Sequence, residues 1–225
     1  MTFSIVARCV RTGQFGMAVA SSSPAVASRC AFARAGVGVV ATQNVTDPRL
    51  GPAGLSLLEQ GASAEECCAI LMRNASYNAF RQVLVLDCAG HSAYWAGERI
   101  LGCHGHASLQ SVAAAGNMLS RNSVPDVMVS AFAASSSELE LGERLLIAME
   151  AGLMAGGEEG PVHSAGLLIV EEQSWPLTDL RVDWSEAPLV SLRNLWALWQ
   201  PQMRDYVTRG LNPTTALSYG VPGDR

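Results

Sequence analysis

The chain opens with the stretch Met1-Thr2-Phe3-Ser4-Ile5-Val6-Ala7-Arg8, and this stretch is the starting point for predicting the fold. Phe3, Ile5 and Ala7 alternate with their neighbours at the two-residue period of a half-buried β-strand. A strand that begins at the second residue places the terminus inside a sheet, whereas most termini fray at the surface. The stretch therefore predicts a buried first strand with Thr2 at its beginning.

Thr2 is also a candidate nucleophile. Its side chain is small enough for a cytoplasmic aminopeptidase to remove Met1, and removal would give Thr2 a free α-amine beside its own hydroxyl. A hydroxyl is a weak nucleophile that an adjacent base activates, and an α-amine, which titrates near neutral pH, can be that base. Many proteins begin with Met-Thr by chance, so the dipeptide alone leaves both interpretations open.

Composition narrows the class of protein. The chain has 225 residues, of which 49% are hydrophobic and 16% charged, so much of it must be buried. A formal net charge of -5 provides no basic surface for a nucleic-acid partner. We expect no signal peptide, because Arg8 and Arg11 interrupt the start before any apolar segment forms. We also expect no membrane span, because no window approaches the ~18–20 uninterrupted apolar residues that a span needs.

These features predict a cytoplasmic protein with a single domain over residues 1–204. The six cysteines contain no C-x-x-C pair and mostly lie in apolar runs, so we expect buried free thiols rather than disulfides. Residues 205–225 contain glycines, prolines and few large apolar side chains. We expect this tail to be loose or to dock on a neighbouring subunit of a homo-oligomer.

Apolar runs and turn residues predict the order of the elements. The turn Arg11-Thr12-Gly13 separates the first strand from a second at 15–21. Ser63 with Glu66 forms a capping box that starts a helix. Further strands are predicted at 36–42, 80–87, 91–96, 109–115, 163–171 and 180–182, and helices at 51–60, 63–73, 125–133, 138–155 and 188–202.

This order predicts the architecture. Strands joined by tight turns pair antiparallel, and each pair of helices must cover one face of a sheet. The simplest arrangement is an α+β fold in four layers, αββα, with two stacked antiparallel sheets and helices on both outer faces. Sheets covered on both faces also explain the low fraction of charged residues.

Common catalytic signatures are missing from the sequence: it has no G-x-S-x-G, H-E-x-x-H or Walker motif. Cys103, His104 and His106, together with His91 or His163, are candidate zinc ligands, because thiolate and imidazole donors suit zinc. No second spaced pair completes a zinc site. We therefore predict no metal and no cofactor, and keep a zinc hydrolase as an alternative.

Polar residues gather where the predicted apolar strands begin or stop. They are Ser21-Ser22-Ser23, Thr42-Gln43-Asn44, Arg81-Gln82, Gly116-Asn117 and His163-Ser164. A site built from the ends of strands needs such groups as hydrogen-bond donors for an oxyanion. Serine, asparagine and glycine also favour turns, so each residue taken alone has an ordinary structural explanation.

Several segments resemble a bacterial and archaeal family named domain of unknown function 1028. The similar segments are 2–7, 16–21, 33–43, 51–54, 81–82, 116–119, 143–146, 150–152, 155–157 and 179–183. The resemblance extends over about residues 2–200. It implies the four-layer αββα fold of N-terminal nucleophile hydrolases, with amide-bond hydrolysis by Thr2 and no settled substrate.

Two positions depart from that family. Its members usually carry an acidic residue after Thr-Phe-Ser-Ile-Val-Ala-Arg and a lysine in the Ser-Lys-Phe that follows the second strand. Cys9 and Ser22 stand at those places here. A cation at position 22 would make the Thr2 amine easier to deprotonate. That effect is missing here unless Arg8 or Arg34 takes the role. A retained Met1 would block this mechanism.

We therefore predict an amidohydrolase that cleaves a C–N bond in a small or peptide-like amide, with Thr2 as the nucleophile. The alternative is a non-catalytic protein of the same fold that binds a small ligand or assembles with itself. Candidates for binding substrate or holding the oxyanion are Ser4, Ser22, Ser23, Arg34, Gln43, Asn44, Gln82, Asn117 and His163.

Overall fold

In this computed structural model, which describes residues 1–223, ten strands form two sheets. The strands are β1 Thr2–Arg8, β2 Phe15–Ser21, β3 Ala31–Arg34, β4 Gly38–Asn44, β5 Arg81–Asp87, β6 Ser92–Ala96, β7 Gly105–Leu109, β8 Val112–Asn117, β9 Ser164–Val170 and β10 Thr178–Val182. The helices are α1 Ala27–Cys30, α2 Leu50–Glu59, α3 Ala64–Asn74, α4 Val124–Ala134, α5 Leu141–Met154, α6 Pro188–Trp199 and α7 Met203–Leu211.

Strand β1 lies in the middle of the larger sheet, whose order is β10-β9-β2-β1-β8-β7. The smaller sheet has the order β3-β4-β5-β6. Every neighbouring pair in both sheets is antiparallel. Because β1 is hydrogen-bonded on both edges, Thr2 starts deep in the sheet, as the first eight residues predict.

Three apolar layers hold the sheets and helices together. Val6, Met17 and Leu86 belong to the layer between the two sheets. Helices α4, α5 and α6 cover the outer face of the larger sheet, and α2 and α3 cover that of the smaller one. The predicted α+β fold of four αββα layers is confirmed.

Local sequence signals explain how individual elements begin and pack. The Ser63 side chain accepts a hydrogen bond from the Glu66 backbone, and the Glu66 carboxylate accepts one from the Ser63 backbone. This capping box starts α3 where the sequence predicts it. Helix α6 packs against α5 because Gly142 leaves room for Trp196, whose ring would lie 2.5 Å from a Cβ at that glycine.

Four elements were not predicted from the sequence. Strand β3 and helix α1 are only four residues long, and edge strand β7 is partly exposed, so none carries a long apolar pattern. Helix α7 crosses the predicted domain end at 204, and its Met203 is buried. Residues 205–211, expected to be loose or docked on a neighbouring subunit, instead belong to helix α7, whose Val207 packs against the core of this chain.

The cysteines agree with the expectation of free thiols, with one difference. No cysteine forms a disulfide, and Cys9, Cys30, Cys67 and Cys68 are buried, but Cys88 and Cys103 are exposed. Burial raises the pKa of Cys67 to about 12 and that of Cys68 to about 11. Among the helices of residues 1–223, none combines the length and apolar character of a membrane span.

Candidate active site

The layer between the sheets is apolar at one end and polar at the other. Along β1 the inward-facing side chains change from Val6 to Ser4 and then Thr2, and along β5 they change from Leu86 to Gln82. We call the second region the polar end. It consists of Thr2, Ser4, Ser21, Gln43, Gln82 and Asn117, each at most 5% exposed.

A network of side-chain amides joins the two sheets at the polar end. Ser4 Oγ donates to Gln43 Oε1 at 2.8 Å, and Gln43 Nε2 donates to Gln82 Oε1 at 2.9 Å. Asn117 Nδ2 donates to the same Gln82 oxygen at 2.8 Å. Buried polar groups are tolerated when they are paired, so this network fixes the positions of four side chains from β1, β4, β5 and β8.

Gln82 is the centre of that network. Its Nε2 donates to Tyr94 Oη at 2.8 Å and to the Gly116 carbonyl at 2.9 Å. Burial raises the pKa of Tyr94, which keeps its hydroxyl neutral. Asn117 Oδ1 is buried and has no hydrogen-bond partner within residues 1–223. Because Asn117 lies opposite Thr2 on the neighbouring strand, a free acceptor stands beside the start of β1.

The Thr2 hydroxyl lies beside a serine and a carbonyl group. Thr2 Oγ1 is 3.4 Å from Ser21 Oγ on the adjacent strand β2. Both hydroxyls donate to the carbonyl oxygen of Met1. The structure thus holds a carbonyl group next to Thr2 Oγ1, with the Ser21 hydroxyl directed at its oxygen.

A chain of hydrogen bonds connects Ser21 to a guanidinium group. Arg29 Nη2 donates to Ser23 Oγ at 2.6 Å, and Ser23 Oγ lies 2.7 Å from Ser21 Oγ. Because the Ser21 hydroxyl already donates to the Met1 carbonyl, its oxygen accepts the hydrogen bond from the Ser23 hydroxyl. Positive charge on Arg29 thereby makes the Ser21 hydroxyl a stronger donor.

Glu158 places a carboxylate near the chain terminus. It is 4% exposed, and its oxygens accept the Ser22 backbone N–H at 3.1 and 3.3 Å. Burial raises the pKa of Glu158 to about 7, although the terminal ammonium and the hydrogen bond from Ser22 act in the opposite direction. Glu158 follows α5 and is held by a backbone bridge to Leu119.

Three other predicted residues lie around this region and have structural contacts of their own. Asn44 ends β4 with a φ of 71°, and its side chain donates to the Phe80 carbonyl at 2.7 Å. His163 stacks on Trp184 with ring centroids 4.4 Å apart, and its backbone N–H donates to Ser21 at 2.8 Å. Ser22 contributes its backbone N–H to Glu158 rather than its side chain.

Arg34 is a correction to the predicted set. It pairs with Gly38 at the opposite end of β4 from Gln43, about 17 Å away at about 3.4 Å per residue. Its guanidinium binds Glu59 at 2.6 Å on the surface. Arg8 lies at the far end of β1 from Thr2, over the Phe15 ring. The cation near the terminus is Arg29.

The histidines proposed as zinc ligands do not come together. His104 and Cys103 are exposed, and His106 stacks on Tyr94 with centroids 4.1 Å apart. His91 lies beside Asp87 at the other end of β5. In residues 1–223, no group of three or more His, Cys, Asp or Glu side chains is placed to hold a metal ion.

Comparison with known proteins gives one family. The family model described as "Family of unknown function (DUF1028)" matches residues 2–192. The chain belongs to the DUF1028 family. A DUF1028 crystal structure, that of protein SPO2555 from Silicibacter pomeroyi, is 29% identical with a TM-score of 0.83, over 91% of this chain and 94% of that one. No curated protein matches the chain.

More distant structures are Anbu proteins. Anbu (ancestral beta-subunit) from Yersinia bercovieri is 12% identical with a TM-score of 0.39, over 91% of this chain and 97% of that chain. Anbu from Hyphomicrobium sp. strain MC1 is 11% identical with a TM-score of 0.41, over 92% and 98%. At this level of similarity neither protein informs the chemistry of the DUF1028 site.

Sequence reasoning missed Glu158, Arg29 and Tyr94. Glu158 follows the glycines that end α5, and an acidic residue between a helix stop and a strand looks like part of an exposed turn. Arg29 lies in the short helix α1, which has no periodic pattern. Tyr94 lies on the same face of β6 as Ser92 and Ala96, so only its alternation with Trp95 indicates an inward direction.

Proposed function

We propose that this DUF1028 protein hydrolyses an amide bond in a small or peptide-like molecule, with Thr2 as the nucleophile after Met1 is removed. The observation that carries the proposal is the placement of Thr2 Oγ1 beside a carbonyl whose oxygen accepts the Ser21 hydroxyl. A nucleophile, a site for a carbonyl carbon and a donor to its oxygen are the three parts that acyl transfer requires.

The reaction proceeds in two steps. The α-amine of Thr2 takes the hydroxyl proton while Oγ1 bonds to the carbonyl carbon, and the Ser21 hydroxyl stabilises the oxyanion. The amine then returns the proton to the leaving nitrogen, and the C–N bond breaks to leave an ester on Thr2. Water, activated by the same amine, hydrolyses the ester and releases the acid.

The neighbouring groups support these roles. The free acceptor Asn117 Oδ1 faces the strand position of Thr2 and can orient the new amine. The charge of Arg29, transmitted through Ser23, strengthens Ser21 as an oxyanion donor. This arrangement supplies, from a different residue, the positive charge that the family lysine would have brought to position 22.

The first measurement is the intact mass of untagged protein made in a cytoplasm with normal aminopeptidase. We expect a mass that lacks one methionine. The protein is then treated with a peptide β-lactone, which opens on a nucleophilic hydroxyl and adds its whole mass as an ester. We expect the adduct on the peptide that begins with Thr2, and turnover of a panel of chromogenic amides.

Thr2→Ala removes the hydroxyl together with the γ-methyl group of Thr2, and is expected to lose the adduct and lower turnover by ~10³-fold or more, with only a small change in the melting temperature. Thr214→Ala, at an exposed threonine near the C-terminus, is the matched control and should behave like the parent. Labelling that persists in Thr2→Ala, or occurs only on the exposed Cys88 and Cys103, contradicts the proposal. A retained Met1 would contradict it as well and favour a ligand-binding protein.

A further inference from the structure

Met1 shows where an acyl group lies when its carbonyl is beside the Thr2 hydroxyl. The Met1 carbonyl carbon is bonded to the Thr2 nitrogen, and its oxygen accepts from Thr2 Oγ1 and Ser21 Oγ. In an ester on Thr2 the acyl carbon is bonded to Oγ1 of the same residue. The nitrogen and Oγ1 are separated by two carbon atoms, so the acyl carbon moves by only about 2–3 Å between the two positions.

The groups that surround Met1 therefore describe the groups that would surround a substrate acyl chain. Ser21 holds the carbonyl oxygen, and the next residue, Ser22, holds the buried Glu158 carboxylate with its backbone N–H. The contact with Ser22 places the carboxylate on the side of the Met1 ammonium, whose charge lowers the Glu158 pKa against the larger effect of burial. Two consecutive residues, Ser21 and Ser22, thus hold a carbonyl oxygen and a carboxylate.

The side chain of Met1 lies against Gly160. A Cβ at Gly160 would be 3.5 Å from Met1 Cε and 3.9 Å from Met1 Sδ. These are ordinary van der Waals distances, so the backbone at Gly160 lies beside the unbranched Met1 side chain. Once Met1 is removed, its ammonium, carbonyl and side-chain positions become open to another molecule.

We infer that the substrate is an aminoacyl amide, either an amino-acid amide or a short peptide cleaved after its first residue, whose free α-amine binds Glu158 while its carbonyl oxygen binds Ser21. This inference rests on the proposed function and names its substrate class. An ammonium and a carbonyl separated by one carbon match the spacing that Met1 itself displays. An acyl group without that charge would leave the buried Glu158 carboxylate without a positive partner, held by the Ser22 N–H alone.

The chemistry is that of the two steps above. The amide C–N bond breaks, the leaving amine keeps the proton delivered by the Thr2 amine, and the aminoacyl group is held as an ester on Thr2. Water cleaves the ester to give a free amino acid. Glu158 forms no covalent bond and transfers no proton in this sequence; it is a substrate-binding residue.

The test uses the full chain, confirmed by mass to begin at Thr2, with two chromogenic substrates. They are L-methionine p-nitroanilide, whose α-amine can carry a positive charge, and its N-acetyl derivative, in which an acetyl group on the same nitrogen removes that charge. We expect kcat/KM to be at least ~10-fold higher for the free amine, and Glu158→Gln to remove that preference mainly by raising KM. Glu159→Gln, at an adjacent exposed glutamate, is the matched control and should keep the preference.

Calorimetric binding of the product makes the two proposals separable. We expect L-methionine to bind the parent and Glu159→Gln, to bind Glu158→Gln at least ~10-fold more weakly, and N-acetyl-L-methionine not to bind. Hydrolysis of both substrates at equal rates that depends on Thr2 overturns this inference and leaves the proposed function standing. Binding of L-methionine through Glu158 without turnover supports the subsite, while the function fails. If L-methionine does not bind and the free amine is not preferred as a substrate, the inference is overturned. Lactone labelling of Thr2 then tests the proposed function by itself.

Discussion

The two ends of the inter-sheet layer are built on the same strands, but one end needs only close packing and the other also needs paired polar atoms. At one end Val6, Met17 and Leu86 are fully buried and need only fill space. At the other, Gln43 and Gln82 are just as buried, yet each polar atom must find a partner. An apolar residue of similar size would fill the same space without that requirement.

The difference indicates that the polar end is not maintained for packing. Buried amides are costly unless they are paired, and the network satisfies Gln82 completely while leaving Asn117 Oδ1 without a partner in residues 1–223. That free acceptor lies opposite Thr2 on the adjacent strand. A region that holds its polar groups rigid and keeps one acceptor free is suited to holding an amine and a reacting carbonyl.

Matched substitutions on one strand give the largest expected effect. Gln82→Leu and Leu86→Ala both alter inward-facing residues of β5. Leu86→Ala removes buried apolar contacts and should lower the free energy of unfolding by about 2–5 kcal/mol. Gln82→Leu leaves donors from Gln43 and Asn117 unpaired, at about 1–3 kcal/mol each. Denaturant unfolding measures both.

The reactivity of Thr2 separates the two ends where stability does not. We expect Gln82→Leu to slow lactone acylation of Thr2 by ~10-fold or more, because Asn117 loses its hydrogen bond to Gln82 Oε1. Leu86→Ala should acylate at the parent rate under conditions where both variants are folded. Equal acylation rates in the two variants would show that the polar end has no part in activating Thr2.

Glu158→Gln is expected to change how stability depends on pH. The Glu158 pKa is raised from an ordinary 4.5 to about 7 in the folded protein, chiefly by burial, although the terminal ammonium opposes the change. As pH rises from 4.5 to 7 the unfolded chain loses this proton first, so the folded state loses stability over that range. Glutamine cannot ionise, and its oxygen can still accept from Ser22.

Glu158→Gln should therefore be more stable than the parent at pH 8, by on the order of 2–3 kcal/mol, and equal to it near pH 4.5. Thermal melts at both pH values measure the difference, with Glu159→Gln as the control that changes neither. If Glu158→Gln gains no stability at pH 8, Glu158 ionises in the folded protein at no cost, and burial does not raise its pKa.

Sequence reasoning reached the architecture because strand period, turns and the capping box are local signals that agree with one another. It also identified the strand ends that carry Ser21, Gln43, Gln82 and Asn117, since apolar strands that stop at polar residues are visible in sequence. It could not identify Glu158, because that residue is buried near a chain terminus more than 150 positions away in the sequence. A contact between residues so far apart in the chain leaves no local pattern.

The choice of cation shows the same limit and gives the smallest expected effect on stability. Arg8 and Arg34 are the candidates from the sequence, but the Arg34 guanidinium binds Glu59 on the surface at 2.6 Å, and exposed pairs contribute about 0–1 kcal/mol. Arg34→Ala should therefore change the free energy of unfolding by less than about 1 kcal/mol and leave Thr2 acylation unchanged. Arg29→Ala breaks the hydrogen bond to Ser23 and is expected to slow acylation several-fold.

Comparing Arg29→Ala with Arg29→Lys separates charge from packing. Lysine restores a positive charge but lacks the planar group that reaches Ser23 Oγ and the carbonyl groups of Pro24 and Ala25 together. If charge transmitted to Ser21 is what matters, Arg29→Lys should recover part of the acylation rate that Arg29→Ala loses. A rate that falls equally in both, or falls in Arg34→Ala, would mean that Ser21 is not strengthened by Arg29. The polar end would then bind a carbonyl through neutral donors only.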